Sequence, residues 1–294
     1  MKQLFFMPNS KVLFIGLGRM GFNMSSHLSK NKQIDLYVHN RTEAIEKKWL
    51  KLFSAIKYRF EGDIKFDFII TCLKDDRAID LVTKKILQIG CFKKKTVFID
   101  HSTISLDQVK KNNNLAGINK FHFLDAPVTG GVEGAKNKSL SSMVGGKLAQ
   151  FKKSQSILSA YCKNIIHMGK TGSGQLTKFT NQILICGILY SISEANAFSK
   201  KNNLNQNKLY DAIKDGAAGS WQFINRYKTI NKNKFNFGFS SELMEKDLRY
   251  VLKQSENNKL DLKLTKNVHK RYKKLLTTKY RDQDTSSLIK SFLK

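Results

Sequence analysis

Three polar clusters in the chain have the residue types that bind or protonate a small anionic substrate. The first is Thr129-Gly130-Gly131, a hydroxyl followed by backbone N–H groups that no Cβ shields. We interpret it as a site for a substrate carboxylate, although the same tripeptide is also common in simple turns. The second cluster, with Ser102 and Thr103, directly follows an apolar segment at 96–100.

The third cluster contains Lys178 and, three residues later, Asn181. This spacing places both side chains on one face of a helix. A lysine removed from water can donate a proton to a substrate, with the asparagine fixing its direction. In a chain with 52 basic residues the pair also fits a solvated surface, so the spacing alone does not identify a catalytic group.

A glycine-rich segment indicates that a phosphate-containing cofactor accompanies these clusters. The apolar run 12–15 leads into a Gly-x-Gly-x-x-Gly turn, and a helical pattern follows it. Strand, tight turn and helix N-terminus together bind the pyrophosphate of a dinucleotide. The loop comprises Gly16, Leu17, Gly18, Arg19, Met20 and Gly21.

The end of the next predicted strand, at 34–42, bears on the choice of dinucleotide. A carboxylate there would accept from the ribose 2′-OH of NAD, but the chain has Asn40, Arg41 and Thr42. An arginine with two small polar groups suits a 2′-phosphate. We therefore expect NADPH/NADP as the cofactor, with NAD as the alternative.

The elements that position these residues follow from the hydrophobic pattern. Apolar strand-like runs at 66–73, 96–100, 121–128, 140–144 and 165–168 alternate with helical segments, which predicts a mostly parallel sheet. After Gly174 the pattern is helical, with a long first helix at 176–200. We predict an α/β Rossmann domain at 1–170 and an all-α domain at 171–294, joined by this long helix.

The charge of the chain raises a different class of function. A net charge of +29 is typical of nucleic-acid-binding proteins. The basic residues are mainly lysines spread from one end to the other, and asparagine is abundant, which also fits the codon bias of an AT-rich genome. We expect no dedicated nucleic-acid surface.

The cysteines and histidines bear on whether the chain binds a metal and in which compartment it functions. The four cysteines and six histidines have no metal-ligand spacing, so we expect no metal. The scattered cysteines fit a reducing cytoplasm, and the longest apolar stretch, 183–192, is too short to span a membrane. We read no signal peptide, and either Met1 or Met7 could be the start of translation.

Four motifs together resemble the β-hydroxyacid dehydrogenase family, which includes 3-hydroxyisobutyrate dehydrogenase, tartronate semialdehyde reductase and glyoxylate/succinic semialdehyde reductase. The motifs occur in the family's order over nearly the whole chain. They are GLGRMGFNM at 16–24, DAPVTGGVEGAKNKSLSSMVGG at 125–146, GKTGSGQLTKFTNQ at 169–182 and EKDLRYVL at 245–252.

The resemblance implies a reaction and roles for single residues. Lys178 would be the general acid/base, and Asn181 and Gln182 would orient a substrate whose carboxylate binds at 129–131. The nicotinamide and the rest of the cofactor would contact Leu73, Ser102, Thr103, Lys246 and Asp247. Trp221 and Phe239 are candidates for the pocket wall, and a homodimer or homotetramer is expected.

The sequence departs from the family pattern at two positions. Thr129 replaces the usual serine, which adds a methyl group to the pocket, and Lys138-Ser139 replaces a usual glycine, which we expect only to reshape a turn. Three alternatives stay open. They are an imine reductase, which usually lacks the lysine, a 6-phosphogluconate dehydrogenase, which is longer, and a nucleic-acid-binding protein on an inactive dehydrogenase fold. The identity of the hydroxy acid and the direction of the reaction also stay open.

Overall fold

Strands and helices alternate through the first part of the chain in a computed structural model, which describes residues 9–292. Met7 lies outside the described residues. The strands are β1 (Ser10–Ile15), β2 (Ile34–His39), β3 (Ile56–Lys57), β4 (Phe66–Thr71), β5 (Phe92–Asp100), β6 (His122–Asp125), β7 (Val128–Thr129), β8 (Leu140–Gly145) and β9 (Cys162–Gly169). The helices between them are α1 (Gly21–Leu28), α2 (Glu43–Leu52), α3 (Asp76–Ile89), α4 (Leu106–Ile118), α5 (Gly131–Lys136) and α6 (Leu148–Leu158).

These strands form a single sheet in the order β3-β2-β1-β4-β5-β6-β8-β7, with β9 paired to β8. Neighbours from β3 to β6 run parallel, as do β8 and β9, whereas β8 is antiparallel to β6 and β7. The predicted Rossmann-type α/β fold with a mostly parallel sheet is confirmed. The single strand expected at 121–128 was wrong in detail, because the chain leaves β6 at Ala126-Pro127 and re-enters the sheet at β7.

Both faces of the sheet are covered. Along β1, Val12 and Phe14 belong to one hydrophobic cluster and Leu13 and Ile15 to another. Alternate side chains of a strand point to opposite faces, so helices must pack on both sides. This is why the strands read as continuous apolar runs in the sequence.

The second part of the chain is helical, as expected. Its helices are α7 (Ser173–Lys201), α8 (Gln206–Ile213), α9 (Trp221–Asn231), α10 (Ser241–Asn257) and α11 (Lys263–Leu275), followed by a 3₁₀ helix at Thr285–Ser291. Helix α7 begins at Ser173, inside the glycine-rich segment 169–174 and three residues before its predicted start at 176. Helix α9 was not predicted.

Contacts divide the chain into two compact units, one ending at Lys178 and the other starting at Phe179. The division falls within α7, so this helix contributes its first turns to the α/β unit and the remainder to the helical unit. Across residues 9–292, no helix has both the length and the apolar character needed to cross a bilayer.

Candidate active site

The glycine loop joins the end of β1 to α1 with backbone groups held close together. Gly16 N donates to His39 O at 2.9 Å, and Phe22 N donates to Gly18 O at 2.8 Å. Among the described residues, no side chain caps the N-terminus of α1, and its first turn has no acidic residue. No acidic side chain of this turn therefore competes with an anionic ligand at the positive end of the helix dipole.

The three glycines of the loop have different physical roles. Gly16 has φ +101°, and a Cβ there would lie 2.4 Å from Cys72 O. A Cβ on Gly21 would lie 1.9 Å from Gly16 O, so this residue lets the helix start pack against the loop. Gly18 has no atom within 4 Å of a built Cβ, so its side faces open space. Such an opening fits a pyrophosphate that approaches the backbone.

The side chain of Asn40, at the end of β2, forms hydrogen bonds to the glycine loop and to its own turn. Its Oδ1 accepts from Leu17 N at 2.9 Å, and its Nδ2 donates to Thr42 O at 3.0 Å. Arg41 and Thr42 are exposed beside it. The carboxamide of Asn40 thus shapes the binding loop, while the guanidinium of Arg41 stays accessible to a ligand.

A buried carboxylate beneath this turn was missed by sequence reasoning. Glu46 on α2 is fully buried, accepts from Asn40 N at 3.0 Å and receives Arg59 Nη1 at 2.7 Å. Lys57 Nζ lies 3.6 Å from the same carboxylate. Glu46 is therefore occupied by cations of this chain. Its only sequence signal is an acid in the first turn of a helix.

The ends of β4 and β5 are joined by a hydroxyl and a carboxylate. Ser102 Oγ accepts from Leu73 N at 2.8 Å, which brings these two predicted cofactor residues together. Asp100 Oδ1 accepts from Ser102 N at 3.0 Å and from Thr71 Oγ1 at 2.8 Å. Thr103 follows in the same turn, before α4. Asp100 therefore fixes the backbone of the predicted nicotinamide contact.

The predicted carboxylate site lies at the edge of the sheet. Thr129 ends β7, opposite Ser141 of β8. Gly130 and Gly131 have φ +120° and +64°, conformations that favour glycine. A Cβ on Gly131 would meet no atom within 4 Å, so its backbone is open to a ligand. Nearby, Lys138 has φ +56°, a left-handed conformation that a lysine rarely adopts and that favours glycine.

Asp125 holds the beginning of α7. Its Oδ1 accepts from Gly172 N at 2.7 Å and its Oδ2 from Gln175 N at 2.9 Å. These bonds satisfy backbone donors that a helix start leaves without partners. Lys178 follows Gln175 by three residues and is only 8% exposed. Lys178, the candidate proton donor, thus lies near the start of a helix that hydrogen bonds hold to the end of β6.

Burial perturbs three titratable groups around these strand ends. Desolvation raises the pKa of Asp100 and of Asp125 to about 6 each. Burial lowers the pKa of His101 to about 4, and its ring bonds Ala126 O and Tyr161 Oη at 2.6 and 2.8 Å. Clustered groups with shifted pKa values are typical of functional sites, although purely structural networks also produce them.

In the helical unit, four predicted residues form one polar network. Asn181 Nδ2 donates to Gln182 Oε1 at 2.8 Å, and Gln182 Nε2 donates to Asp247 Oδ2 at 2.7 Å. Lys246 Nζ lies 3.0 Å from Asp247 Oδ1. Gln182, Lys246 and Asp247 are all buried. Helices α7 and α10 thus present a connected set of amides and charges.

The two predicted wall residues have different surroundings. Phe239 is half-buried against the cluster of Met244 and Leu248 in α10. Trp221 starts α9, is 59% exposed, and has the guanidinium of Arg226 5.2 Å from its ring. Their role in a substrate pocket stays a prediction.

Within residues 9–292, no group of three or more His, Cys, Asp or Glu side chains is arranged to hold a metal ion. The chemistry available at these strand ends is therefore that of backbone N–H groups, hydroxyls, amides, carboxylates and lysines.

Two family models match nearly the whole chain. The first, the NAD binding domain of 6-phosphogluconate dehydrogenase, matches residues 11–169. The second, described as NAD-binding of NADP-dependent 3-hydroxyisobutyrate dehydrogenase, matches residues 172–292. The mitochondrial 3-hydroxyisobutyrate dehydrogenase of Drosophila melanogaster is 31% identical over 89% of this chain and 83% of its own. The chain belongs to the 3-hydroxyisobutyrate dehydrogenase family.

Two further similar proteins agree with this assignment. A solved 3-hydroxyisobutyrate dehydrogenase of Mycobacterium tuberculosis, described with L-serine, has a TM-score of 0.85 and 26% identity, covering 97% of this chain and 100% of that one. An uncharacterized oxidoreductase of Shewanella frigidimarina is 36% identical over 95% of this chain and 97% of its own. The chain is an oxidoreductase of this family, and the family models indicate a nicotinamide dinucleotide as its cofactor.

Proposed function

We propose that the enzyme interconverts a small 3-hydroxy acid and its semialdehyde, prefers NADPH, and uses Lys178 as general acid/base. The observation that carries the proposal is the placement of Lys178. It is almost fully buried and lies one turn beyond the helix start that Asp125 holds at the end of β6. A solvated surface lysine would need neither feature.

Thr129 and the two following glycines are proposed to bind the substrate carboxylate. The positive φ of Gly130 and Gly131 and the open space beside Gly131 leave backbone N–H groups free of shielding Cβ atoms. A hydroxyl with such N–H groups supplies the donors that a carboxylate accepts from. The added methyl of Thr129 narrows the site relative to a serine and favours a short acid.

Lys178 is proposed to move the proton of the reaction. The nicotinamide, when bound, supplies or accepts the hydride. In reduction, the ammonium group of Lys178 stabilises the negative charge that develops on the substrate oxygen and then protonates it. In oxidation, the neutral amine accepts the hydroxyl proton. Burial strengthens this electrostatic effect because little water screens it.

Arg41 is proposed to select NADPH. Its guanidinium is exposed at the end of β2, and the nearby carboxylate of Glu46 is already paired with Arg59. Glu43, the other carboxylate in the first turn of α2, is likewise paired with Lys57 and Arg59. An exposed guanidinium beside these paired carboxylates favours a phosphate over the 2′-OH of NADH. For Asn181, Gln182, Lys246 and Asp247 we keep the roles that the resemblance implies, in orienting substrate and contacting cofactor.

A substrate panel tests the proposed reaction. Purified enzyme is assayed with glyoxylate, succinic semialdehyde, tartronate semialdehyde and methylmalonate semialdehyde, and with the matching hydroxy acids, each with both nicotinamide cofactors. We expect turnover with at least one semialdehyde, and a higher kcat/KM with NADPH than with NADH. Turnover of cyclic imines without turnover of any semialdehyde would contradict the proposal.

A further inference from the structure

The side chain of Gln175 joins the start of α7 to the turn after β5. It is fully buried, and both of its polar atoms are used. Nε2 donates to Ser102 O at 2.7 Å, and Oε1 accepts from Ile104 N at 3.3 Å. One carboxamide therefore spans the turn that contains Thr103.

Both ends of this connection are held by carboxylates of neighbouring strands. The backbone of Gln175 donates to Asp125 at 2.9 Å, and the backbone of Ser102 donates to Asp100 at 3.0 Å. Asp100 and Asp125 are direct partners in the register of β5 and β6. The carboxamide thus closes a ring of contacts from β6 through α7 and the 102–104 turn to β5.

The helix start has no room to shift within this ring. A Cβ on Gly174 would lie 2.4 Å from the carbonyl oxygens of Asp125 and Met143. A Cβ on Gly145 would lie 2.5 Å from Asp125 Oδ1. The backbone of the helix start therefore packs directly against the strand ends, with no space for a side chain between them.

We infer that Gln175 is a positioning residue that sets the separation between the Ser102–Thr103 turn and the helix face carrying Lys178. Gln175 and Lys178 are three residues apart in α7, so they share one face, and a displacement at Gln175 moves Lys178. The inference rests on the proposed function, in which this turn contacts the nicotinamide and Lys178 donates the proton. Misplacement of about 1 Å between reacting groups costs up to about 100-fold in rate.

Two substitutions separate the donor and acceptor halves of the carboxamide. Gln175→Met keeps the length and loses both hydrogen bonds. Gln175→Glu keeps an acceptor for Ile104 N and loses the donor to Ser102 O. The matched control is Gln108→Met, since Gln108 is also a buried glutamine of this unit, and its carboxamide donates to Asn112.

Kinetics supply the first readout. We expect kcat of Gln175→Met to fall about tenfold or more, while KM for substrate and Kd for NADPH change less than about threefold. The isotope effect with cofactor deuterated at the transferred position should rise, because hydride transfer becomes rate-limiting. Gln175→Glu should also lose turnover, and Gln108→Met should keep wild-type kcat.

Amide hydrogen exchange supplies a readout that does not depend on activity. The amide of Ile104 should exchange faster in Gln175→Met than in wild type, because its acceptor is gone. In Gln175→Glu it should keep its protection. If Gln175→Met does not fold, Gln175→Glu alone decides, through loss of kcat with Ile104 still protected.

The outcomes separate the inference from the proposed function. A wild-type enzyme inactive on the whole panel, or a fully active Lys178→Met variant, contradicts the proposed function. An active wild type with kcat of either Gln175 variant within twofold of wild type contradicts only the positioning role. So does a Gln175→Met variant in which KM rises while kcat is unchanged.

Discussion

At the level of single residues, the buried aspartates at the ends of β5 and β6 make stability depend on pH. Burial raises the pKa of Asp100 from 3.8 to about 6. In the unfolded chain this carboxyl ionises near its ordinary pKa, so between the two values the folded state binds more protons. The contribution of Asp100 to the free energy of unfolding therefore falls as pH rises through this window.

Replacing Asp100 with Asn should remove this penalty. Asn keeps an acceptor for Thr71 Oγ1 and Ser102 N, and the oxygen it replaces, Oδ2, has no hydrogen-bond partner among the described residues. We expect the variant to gain stability relative to wild type at pH 8 compared with pH 5. The gain is at most about 3 kcal/mol, since a tenfold change in protonation is worth about 1.4 kcal/mol.

Urea unfolding of both proteins at the two pH values measures the difference, in which other titrating groups largely cancel. Asp63→Asn, an exposed aspartate, is the control and should show no such change with pH. A difference between wild type and Asp100→Asn that is equal at pH 5 and pH 8 would show that burial of this charge carries no cost.

Arg41 should decide the cofactor. We expect Arg41→Ser to lower the ratio of kcat/KM with NADPH to that with NADH by about tenfold or more, because a charge-assisted hydrogen bond is worth about 1.5–3 kcal/mol. Steady-state kinetics with both cofactors give this ratio. Arg77→Ser removes the same charge from an exposed position of α3 and should leave the ratio unchanged. An unchanged ratio in Arg41→Ser would assign any 2′-phosphate preference to other groups.

At the level of elements, individual glycines of the loop between β1 and α1 serve either the fold or the binding of the cofactor. Gly18 has open space where a Cβ would lie and no positive φ. We expect Gly18→Ala to fold with wild-type stability and to bind NADPH at least about tenfold more weakly, because the methyl group occupies the approach of the phosphates.

Fluorescence titration and thermal unfolding measure the two properties. Gly117 in α4 also has nothing within 4 Å of a built Cβ, so Gly117→Ala is the matched control. It should keep cofactor affinity and gain slightly in stability, since alanine favours a helix. Unchanged NADPH affinity in Gly18→Ala would place the phosphates elsewhere.

Some elements of the fold could be predicted from the sequence, and others could not. The glycine loop and the apolar strands were predictable, because a buried parallel strand and a phosphate-binding turn leave local patterns. The start of α7 was not, since Asp125, 47 residues before Gly172, supplies the acceptors that let a glycine-rich segment become helical. The roles of Gln175 and Glu46 depend on equally distant partners, which one sequence does not display.

At the level of the whole molecule, the net charge of +29 would suit a nucleic-acid-binding protein, whereas the fold is that of an enzyme. The basic residues are spread along the length of the chain, and ion pairs join exposed side chains, such as Lys47 with Glu43 and Lys266 with Asp261. This distribution fits a generally solvated surface. The matching family models cover residues 11–169 and 172–292 and account for the chain as an oxidoreductase.

Helix α7 has large apolar side chains that are exposed on the surface of the chain. Leu184 is 61% and Phe198 68% exposed, and fourteen residues of helix place them roughly 40° apart around the axis. We propose that two copies of the chain associate through this side of α7 and cover both side chains. Phe198→Glu should shift the protein toward monomer in light scattering after size exclusion.

The control for this prediction is Ile118→Glu, which adds the same charge at an apolar side chain that is 76% exposed on α4. It should leave the mass in solution unchanged. An assembly that persists in Phe198→Glu, or a wild-type chain that is monomeric at micromolar concentration, would contradict association through α7.

The most direct test of the central claim is the turnover of Lys178→Met measured with the best semialdehyde of the panel and NADPH. Lys153→Met, which removes a lysine that contacts Phe68 and Lys95 in the same unit, is the control. The account predicts that kcat of Lys178→Met falls at least about 100-fold while the Kd for NADPH stays within about threefold of wild type. A Lys178→Met enzyme that turns over at the rate of Lys153→Met would contradict it.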